Sequence, residues 1–198
     1  MRLKIVQAGE PVLRQPARPL SVEEICMPAM RELVAHMRET MRDAPGVGLA
    51  APQVGLAIQL AVIEDRAEYL AAIAPETLAE RERSAVPFFA LFNPRIVAYS
   101  EDTVDFFEGC LSVAGFSALV RRSLGVTVEY LDEQAEPRRL EAAGWFARIL
   151  QHEIDHLGGA LYLDSMETRT FSSIENLTRH WKDLPVSAVR DKLGITDR

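Results

Sequence analysis

Hydrophobic residues recur every three or four positions in two parts of the chain, and this spacing predicts two amphipathic helices. The first covers residues 28–42, where a row of methionine and aliphatic side chains is expected to face the core. Pro28 suits the first turn of that helix. The second helix begins near residue 142 and continues through His156, and Gly158 is its expected end.

Alternating residues and short apolar runs predict strands in most of the remaining chain. The clearest alternation is Val126, Val128 and Tyr130, so we expect that strand to bury one face. Asn93 and Pro94 are expected to divide two apolar runs into separate strands. The segments predicted as strands are 3–6, 60–63, 88–92, 95–99, 104–107, 116–122, 125–131 and 137–142, and residues 161–163 are predicted to be extended.

Two further segments are predicted to be peripheral. Residues 65–87 are charged and rich in alanine, which indicates a partly helical surface insertion in which the run 80–83 is solvated. Residues 171–198 are predicted to be a C-terminal helical tail. No internal repeat or second hydrophobic unit is evident, so residues 1–198 are expected to form a single domain.

The composition is that of a globular protein with room for a core. The chain has 198 residues, of which 48% are hydrophobic, and its formal net charge is −7. This acidic balance indicates neither a nucleic-acid site nor a membrane surface. Because no apolar run could span a bilayer and the N-terminus resembles no targeting peptide, we expect a cytoplasmic protein.

Two cysteines make no disulfide framework, and Cys26 is expected to be buried.

The second helix carries His152-Glu153-x-x-His156, which uses two of the four histidines in the chain. Residues four apart lie one above the other on a helix, so His152 and His156 can bind one metal ion. Glu153 lies about a quarter of the circumference away, where it can border the ion and accept a proton from an attacking water. The competing interpretation is a surface helix with two unrelated histidines.

A catalytic site of this type commonly has three protein ligands and one open position. Cys110, in the stretch Glu108-Gly109-Cys110-Leu111-Ser112, is the best third candidate, although an isolated thiol is more often buried and inert. A glycine-rich but apolar loop at residues 44–55 would let a ligand approach the backbone closely, and Gln53 is its strong side-chain donor. Without the other two motifs, that loop is simply a tight turn.

Together these elements predict an α+β fold. Small antiparallel sheets would pack around a central helix that carries His-Glu-x-x-His and binds the metal, with an amphipathic helix near the N-terminus.

Two alternatives to a Cys110 site remain open. In a zinc peptidase of the His-Glu-x-x-His type, the third ligand lies downstream, and Asp164 and Glu167 are the nearby carboxylates. In a non-enzymatic module that binds protein or the ribosome, the metal site would be closed by a fourth ligand.

Three ordered motifs resemble those of the peptide deformylase family. They are Gly46-Val47-Gly48-Leu49-Ala50-Ala51-Pro52-Gln53, Glu108-Gly109-Cys110-Leu111-Ser112 and Gln151-His152-Glu153-x-Asp155-His156-Leu157-x-Gly159. The resemblance extends over residues 3–170, and the stretch after Ser112 is similar to the subgroup that includes mitochondrial enzymes. It implies that the chain removes the formyl group from the N-terminal formyl-methionine of nascent polypeptides in the bacterial cytoplasm and releases formate.

The resemblance also implies a role for individual residues. Cys110, His152 and His156 would hold one divalent ion, natively Fe²⁺, which Zn²⁺, Ni²⁺ or Co²⁺ can replace. Glu153 would be the general acid and base, while Gln53 and the backbone N–H of Leu111 would polarise the formyl oxygen. Gly48 would pair with the substrate backbone. The residues expected to border the methionine pocket are Val47, Glu108, Leu111 and the helix residues near Leu150.

The chain departs from the family pattern outside the metal chemistry. Ala114 stands where many members have proline, and Ser117 stands where many have an arginine that helps to bind the substrate backbone. Arg121 replaces a common proline, whereas Arg122 matches. These changes bear on affinity for the peptide. The expected partners are N-formyl-methionyl peptides and, through the mixed charges of the tail, the ribosome near its exit tunnel.

Overall fold

The computed structural model describes residues 1–196, so the last two residues of the predicted tail lie outside the described part. The predicted α+β class is confirmed. The helices are α1 (Val22–Cys26), α2 (Pro28–Asp43), α3 (Ala67–Leu70), α4 (Pro75–Glu80), α5 (Gly144–Leu157), α6 (Ile174–His180) and α7 (Val186–Lys192). The strands are β1 (Gly48–Ala50), β2 (Leu60–Asp65), β3 (Val86–Tyr99), β4 (Thr103–Cys110), β5 (Val113–Ser123), β6 (Gly125–Leu131), β7 (Pro137–Ala143) and β8 (Ser172–Ser173).

The strands form two antiparallel sheets. The larger sheet has the order β1-β2-β3-β6-β7, and the smaller has the order β4-β5-β8. Helix α5 contacts strands of both sheets and is therefore the central element. Its apolar face, which includes Ala147, Leu150 and Leu157, packs into a core cluster with Ile63 and Val128. The sheets and α5 thus share the buried surface around which the candidate site is built.

Helix α2 follows its apolar pattern closely. Val34, Met37 and Met41 are buried in a second core cluster, as the spacing predicts. The prediction for Cys26 is wrong, because this residue is exposed at the end of α1. The spacing of apolar residues places α2 correctly, but it carries no information about a single residue beyond the helix.

The division at Asn93 and Pro94 is also wrong. Strand β3 runs through both residues, and the register to β6 shifts between Phe92 and Arg95. Asn93 has a positive φ of 50°, and its side chain exchanges two 2.8 Å hydrogen bonds with the backbone of Leu20. A bulge therefore accommodates the proline and keeps the strand continuous.

Two segments predicted to be extended differ from the expectation. Residues 3–6 lie outside both sheets, although the N–H of Val6 donates to the carbonyl oxygen of Gln53 at 2.9 Å. Leu161 precedes a 3₁₀-helix, Tyr162–Asp164, which includes the other two residues of the second segment. The apolar side chains of both segments pack against core clusters without forming strands.

The segment 65–87 is partly helical, but the prediction that residues 80–83 form a solvated face is wrong for two arginines. Arg83 makes a bidentate ion pair with the fully buried Asp65, at 2.7 and 3.0 Å. The Arg81 guanidinium lies 4.8 Å from the ring centroid of Trp145. The carbonyl oxygen of Arg81 also accepts the N–H of Trp145 at 2.9 Å, so the insertion caps the start of α5.

The described part of the tail packs against the smaller sheet. Val189 of α7 is fully buried, and Arg190 donates to Asp105 of β4 at 2.8 Å. Strand β8 pairs with β5 through Phe116–Ser173 and Ser117–Ser172. Among residues 1–196, no helix is both long enough and apolar enough to cross a membrane.

Candidate metal centre

Helix α5 places His152 and His156 one turn apart, with their ring centroids separated by 5.0 Å. The helix ends at Leu157, and Gly158 follows it, as predicted. His156 is almost fully buried and His152 is half-buried. The i, i+4 spacing therefore directs both imidazoles to one side of the helix, where a ligand from another element can meet them.

Cys110 reaches the helix from the last position of β4. The pairing of β4 with β5 shifts register between Gly109 and Cys110, so Cys110 pairs with Val113 at the turn. A bulge of this kind changes the direction of the next side chain. The Cys110 sulfur lies 3.3 Å from Nε2 of His156 and accepts the N–H of Ser112 at 3.4 Å.

The ligand atoms of Cys110, His152 and His156 all lie within 4.8 Å of one another. One sulfur and two imidazole nitrogens are a donor set that suits zinc and other divalent transition metals. The 3.3 Å between the sulfur of Cys110 and Nε2 of His156 is compatible with bonds of roughly 2.0–2.3 Å that meet at a common centre. Within the described residues, the downstream carboxylates of Asp164 and Glu167 are not part of this group. The residues present therefore fit a metal ion held by three protein ligands.

Glu153 lies beside the cluster, as the helix geometry predicts. Its side chain is 4% exposed, and its Oε2 atom has no hydrogen-bond partner. Burial raises the pKa of Glu153 to about 7, against the opposing effect of the positive charge of His152. Gly48 provides the space for this carboxylate, because a Cβ at that position would lie 2.2 Å from Oε1 of Glu153.

Glu108 anchors the charged groups behind the cluster. Its carboxylate contacts Nδ1 of His152 at 3.0 Å and receives two hydrogen bonds from Arg122, at 2.8 and 3.0 Å. Arg148 donates to the same carboxylate at 2.6 Å, and Arg122 also donates to Asp155 at 2.6 Å. With Nδ1 engaged by Glu108, the other ring nitrogen of His152 is left to face the thiol.

These contacts set the protonation of the buried groups. Burial by itself disfavours the charged form of Glu108, but hydrogen bonds from His152 and Arg122 outweigh it and hold the Glu108 pKa well below its usual range. Burial also lowers the pKa of His152, but hydrogen bonds to Cys110 and Glu108 raise it well above the usual value. The pKa of His156 is well below the usual value because of burial and the nearby charge of His152.

Gln53 closes the opposite side of the cluster. Its Oε1 accepts the N–H of Ala50 at 2.9 Å, which fixes the orientation of the amide. Its Nε2 then lies 3.4 Å from the sulfur of Cys110 and 3.3 Å from the hydroxyl oxygen of Ser112. The loop that sequence analysis singled out thus brings an amide donor to the three ligands.

A cavity of about 630 Å³ opens onto this cluster. Of the residues predicted to surround the substrate, Val47, Gly48, Glu108 and Leu111 line it. Leu150 does not, because it is fully buried in the core. Its helix neighbours Arg148 and Ile149 do line the cavity, and so does Trp145, which was not predicted. These three residues lie four, three and seven positions before His152, which places them on the same helix face.

A possible ligand triad, an adjacent carboxylate with a raised pKa and a cavity that reaches both are the arrangement of a metal-dependent hydrolase. Residues 2–172 match the family model described as polypeptide deformylase. The chain belongs to the peptide deformylase family. Its activity is the metal-dependent removal of the N-formyl group from nascent peptides, and neither the peptidase nor the non-enzymatic alternative is favoured.

Relatives from bacteria, plants and mitochondria are similar to nearly the whole chain. Peptide deformylase 3 of Streptomyces avermitilis is 46% identical over 98% of this chain and 84% of its own length. The chloroplastic peptide deformylase 1A of Solanum lycopersicum is 44% identical over 96% of this chain and 67% of its own length. The human mitochondrial peptide deformylase is 37% identical over 86% of this chain and 70% of its own length.

Solved structures agree with this assignment. The Met-Ala-Ser-bound class I type b peptide deformylase of Acinetobacter baumannii superimposes with a TM-score of 0.75, at 31% identity, and covers 84% of this chain and 99% of its own. The peptide deformylase of Thermotoga maritima has a TM-score of 0.70 at 32% identity, over 84% of this chain and 99% of its own. The fold and the family therefore follow from similarity over most of the chain and do not depend on the role of any single site residue.

Proposed function

We propose that Cys110, His152 and His156 hold one divalent cation, with Fe²⁺ as the native ion and Zn²⁺, Ni²⁺ or Co²⁺ as replacements. The geometric support is the group of three ligand atoms within 4.8 Å. A thiolate tolerates Fe²⁺ as well as zinc, whereas affinity alone favours zinc over Fe²⁺. When bound, such an ion lowers the pKa of water towards about 7 and polarises a carbonyl oxygen.

We propose Glu153 as the general acid and base. Its carboxylate accepts a proton from the water that attacks the formyl carbon, and it later delivers a proton to the nitrogen of methionine as the C–N bond breaks. The products are formate and the free amine. A pKa of about 7, which burial causes, suits both transfers near neutral pH.

Gln53 and the backbone N–H of Leu111 are proposed to donate hydrogen bonds to the formyl oxygen. The Gln53 amide is 1% exposed and already oriented by Ala50, so it needs little reorganisation to stabilise negative charge on that oxygen. Elsewhere, one donor of this kind is worth about 3–4 kcal/mol in the transition state.

The substrate peptide is proposed to extend the larger sheet. Strand β1 is an edge strand, so Gly48 can pair with an extended peptide on the side away from β2. Val47, Leu111 and Glu108 would border the methionine side chain, together with Ile149, the helix residue next to Leu150 that lines the cavity. A formyl carbon carries only hydrogen, so a narrow site beside Glu153 admits it and excludes bulkier acyl groups.

The observation that carries this proposal is the convergence of Cys110 with the two histidines of α5. The test uses protein purified anaerobically, with metal content measured by mass spectrometry and formate release measured on formyl-Met-Ala-Ser. We expect Cys110→Ala to lose both metal and activity, and Glu153→Gln to keep metal and lose formate release. Cys26→Ala, at the exposed cysteine, is the matched control. Metal and activity retained in Cys110→Ala would overturn the ligand assignment.

We also propose that the chain acts as a single domain in the bacterial cytoplasm, with its tail contacting the ribosome near the exit tunnel. Exposed Lys182 and Lys192 on the tail suit an RNA surface. The test is co-sedimentation with ribosomes at low and high salt. Charge reversal of both lysines should weaken co-sedimentation, and unchanged binding would remove this part of the proposal.

A further inference from the structure

An apolar ledge stands at the mouth of the cavity, formed by Phe116 of β5 together with Phe171 and Ile174 on either side of β8. These side chains are 42%, 40% and 45% exposed. The rings of Phe116 and Phe171 are stacked, with centroids 5.0 Å apart and an interplanar angle of 10°. Phe116 and Ile174 line the same cavity as His152 and Glu153. The ledge is therefore continuous with the catalytic cavity.

The ledge is held in place by hydrogen-bonded backbone. Phe116 pairs with Ser173, which precedes Ile174 and caps α6 through a 3.2 Å hydrogen bond from the N–H of Asn176. The first residues of the tail are thus fixed against β5. A preformed apolar surface can bind a side chain without the entropy cost of ordering a loop.

The mouth of the cavity carries no charge among the described residues that line it. The exposed lining residues are Gln7, Pro45, Gly109, Ala114, Gly115, Phe116 and Ile174. The charged lining residues lie deeper, and none of them is exposed. The mouth therefore offers apolar contact and no partner for a charged side chain.

We propose that the apolar ledge binds the side chain of the third residue of the formylated peptide and favours apolar side chains there. This inference rests on the proposed function, in which the methionine side chain enters the cavity. Residues one and three of an extended peptide point to the same face, so the third side chain follows the methionine towards the cavity wall. Continuity with the cavity identifies the peptide as the occupant of the ledge.

The test compares formyl-Met-Ala-Leu with formyl-Met-Ala-Asn, whose third side chains are similar in size. Formate release gives kcat/KM for each, normalised to formyl-Met-Ala amide, which has no third residue. We expect the wild-type protein to prefer leucine about fivefold, the factor that burying roughly 40 Å² of apolar surface provides. In Phe171→Ser/Ile174→Ser, that ratio should fall to about one because the contact surface is lost.

Val97→Ser is the matched control, since Val97 is 37% exposed on β3 of the other sheet. It should retain the wild-type ratio. Ile174→Ser alone, which leaves the Phe116–Phe171 stack intact, is a milder variant in case the double variant unfolds. It should lower the ratio partially. A wild-type ratio in either ledge variant would overturn the proposal.

Two further outcomes separate the possible failures. No formate from any peptide with metal-loaded wild-type protein would overturn the proposed function itself, whatever the ledge binds. A dimer in sedimentation that the ledge variants dissociate, with the leucine preference unchanged, would assign the ledge to a second copy of the chain and overturn the peptide assignment.

Discussion

At the scale of single residues, Glu108 orients the ring of His152 in the candidate metal site. Its carboxylate is 5% exposed and contacts Arg122, Arg148 and His152. A residue that fixes the far nitrogen of a ligating imidazole sets both its tautomer and its orientation. Glu108 does line the cavity, but its carboxylate is directed to α5, where it contacts Arg148 and His152 of that helix.

Replacing Glu108 with glutamine should therefore weaken both metal binding and the fold. Two guanidinium groups would lose their buried carboxylate, and breaking such a pair costs about 3–5 kcal/mol. Loss of a group that orients a ligand lowers metal affinity by about 10- to 100-fold. Urea unfolding and chelator competition measure the two effects.

Glu129→Gln is the control for that variant, since Glu129 bridges Arg95 and Arg139 at the surface. It should change the free energy of unfolding by less than about 1 kcal/mol. Equal effects of the two substitutions would contradict the role assigned to Glu108.

Gly48 is a second such residue, because its lack of a side chain leaves room for the Glu153 carboxylate. A Cβ there would lie 2.2 Å from Oε1 of Glu153, so Gly48→Ala must displace the carboxylate. We expect metal content to be retained and kcat to fall by at least about tenfold, because a general base must stay within hydrogen-bond reach. Gly125→Ala, whose added Cβ would meet its nearest atom at 3.5 Å, is the control. A kcat unchanged in Gly48→Ala would show that the carboxylate has room to move.

At the scale of elements, the start of α5 depends on the insertion. No side chain caps this helix at Ala143, and the carbonyl oxygen of Arg81 accepts the N–H of Trp145 instead. The buried pair of Asp65 and Arg83 holds that part of the insertion against the body. The helix that carries both histidines is therefore positioned partly by a segment that composition assigns to the surface.

Arg83→Ala should destabilise the protein because it leaves Asp65 buried without a partner. The expected loss is about 3–5 kcal/mol, measured by urea unfolding. Adding Asp65→Asn to this variant should recover part of the loss, since no buried charge then remains. Arg66→Ala, which removes a pair with the 70%-exposed side chain of Glu68, is the surface control. A loss in Arg83→Ala no larger than in the control would contradict this account of the insertion.

The same scale shows how far apolar patterns predict structure. Helices α2 and α5 are placed correctly because the 3.6-residue period is a local property of the chain. The continuity of β3 through Asn93 could not be predicted, because the Asn93 side chain both accepts a hydrogen bond from the backbone of the distant Leu20 and donates one to it. The surroundings of Arg83 were missed for the same reason, since a charge run indicates solvent unless a buried partner is known.

At the scale of the whole molecule, stability should depend on pH through Glu153 once metal is removed. Burial raises its pKa from 4.5 to about 7, so between these values the folded state binds more protons than the unfolded state. The free energy of unfolding should therefore fall as pH rises through this interval, by on the order of 3 kcal/mol. Urea unfolding of chelator-treated protein at pH 5 and pH 8 measures the change.

Glu153→Gln provides the comparison, because glutamine has the same shape and does not titrate. Every other ionisable group is common to both proteins, so the variant should lose less stability between pH 5 and pH 8. Parallel declines in the two proteins would show that Glu153 does not have the raised pKa.

The amino-acid sequence by itself determined which side chains could carry the chemistry. Helical spacing places His152, Glu153 and His156 relative to one another, and the three ordered motifs identify the family. These inferences hold because backbone geometry over four residues is nearly independent of the rest of the fold.

Only the tertiary structure decided what meets those side chains. Cys110 reaches His156 across 46 positions of chain because of a register shift at the end of β4. The space that Gly48 leaves for Glu153, the carboxylate behind His152 and the apolar ledge at the cavity mouth likewise arise from packing between distant segments. Such contacts follow from the arrangement of both sheets around α5, which no local pattern in the chain specifies.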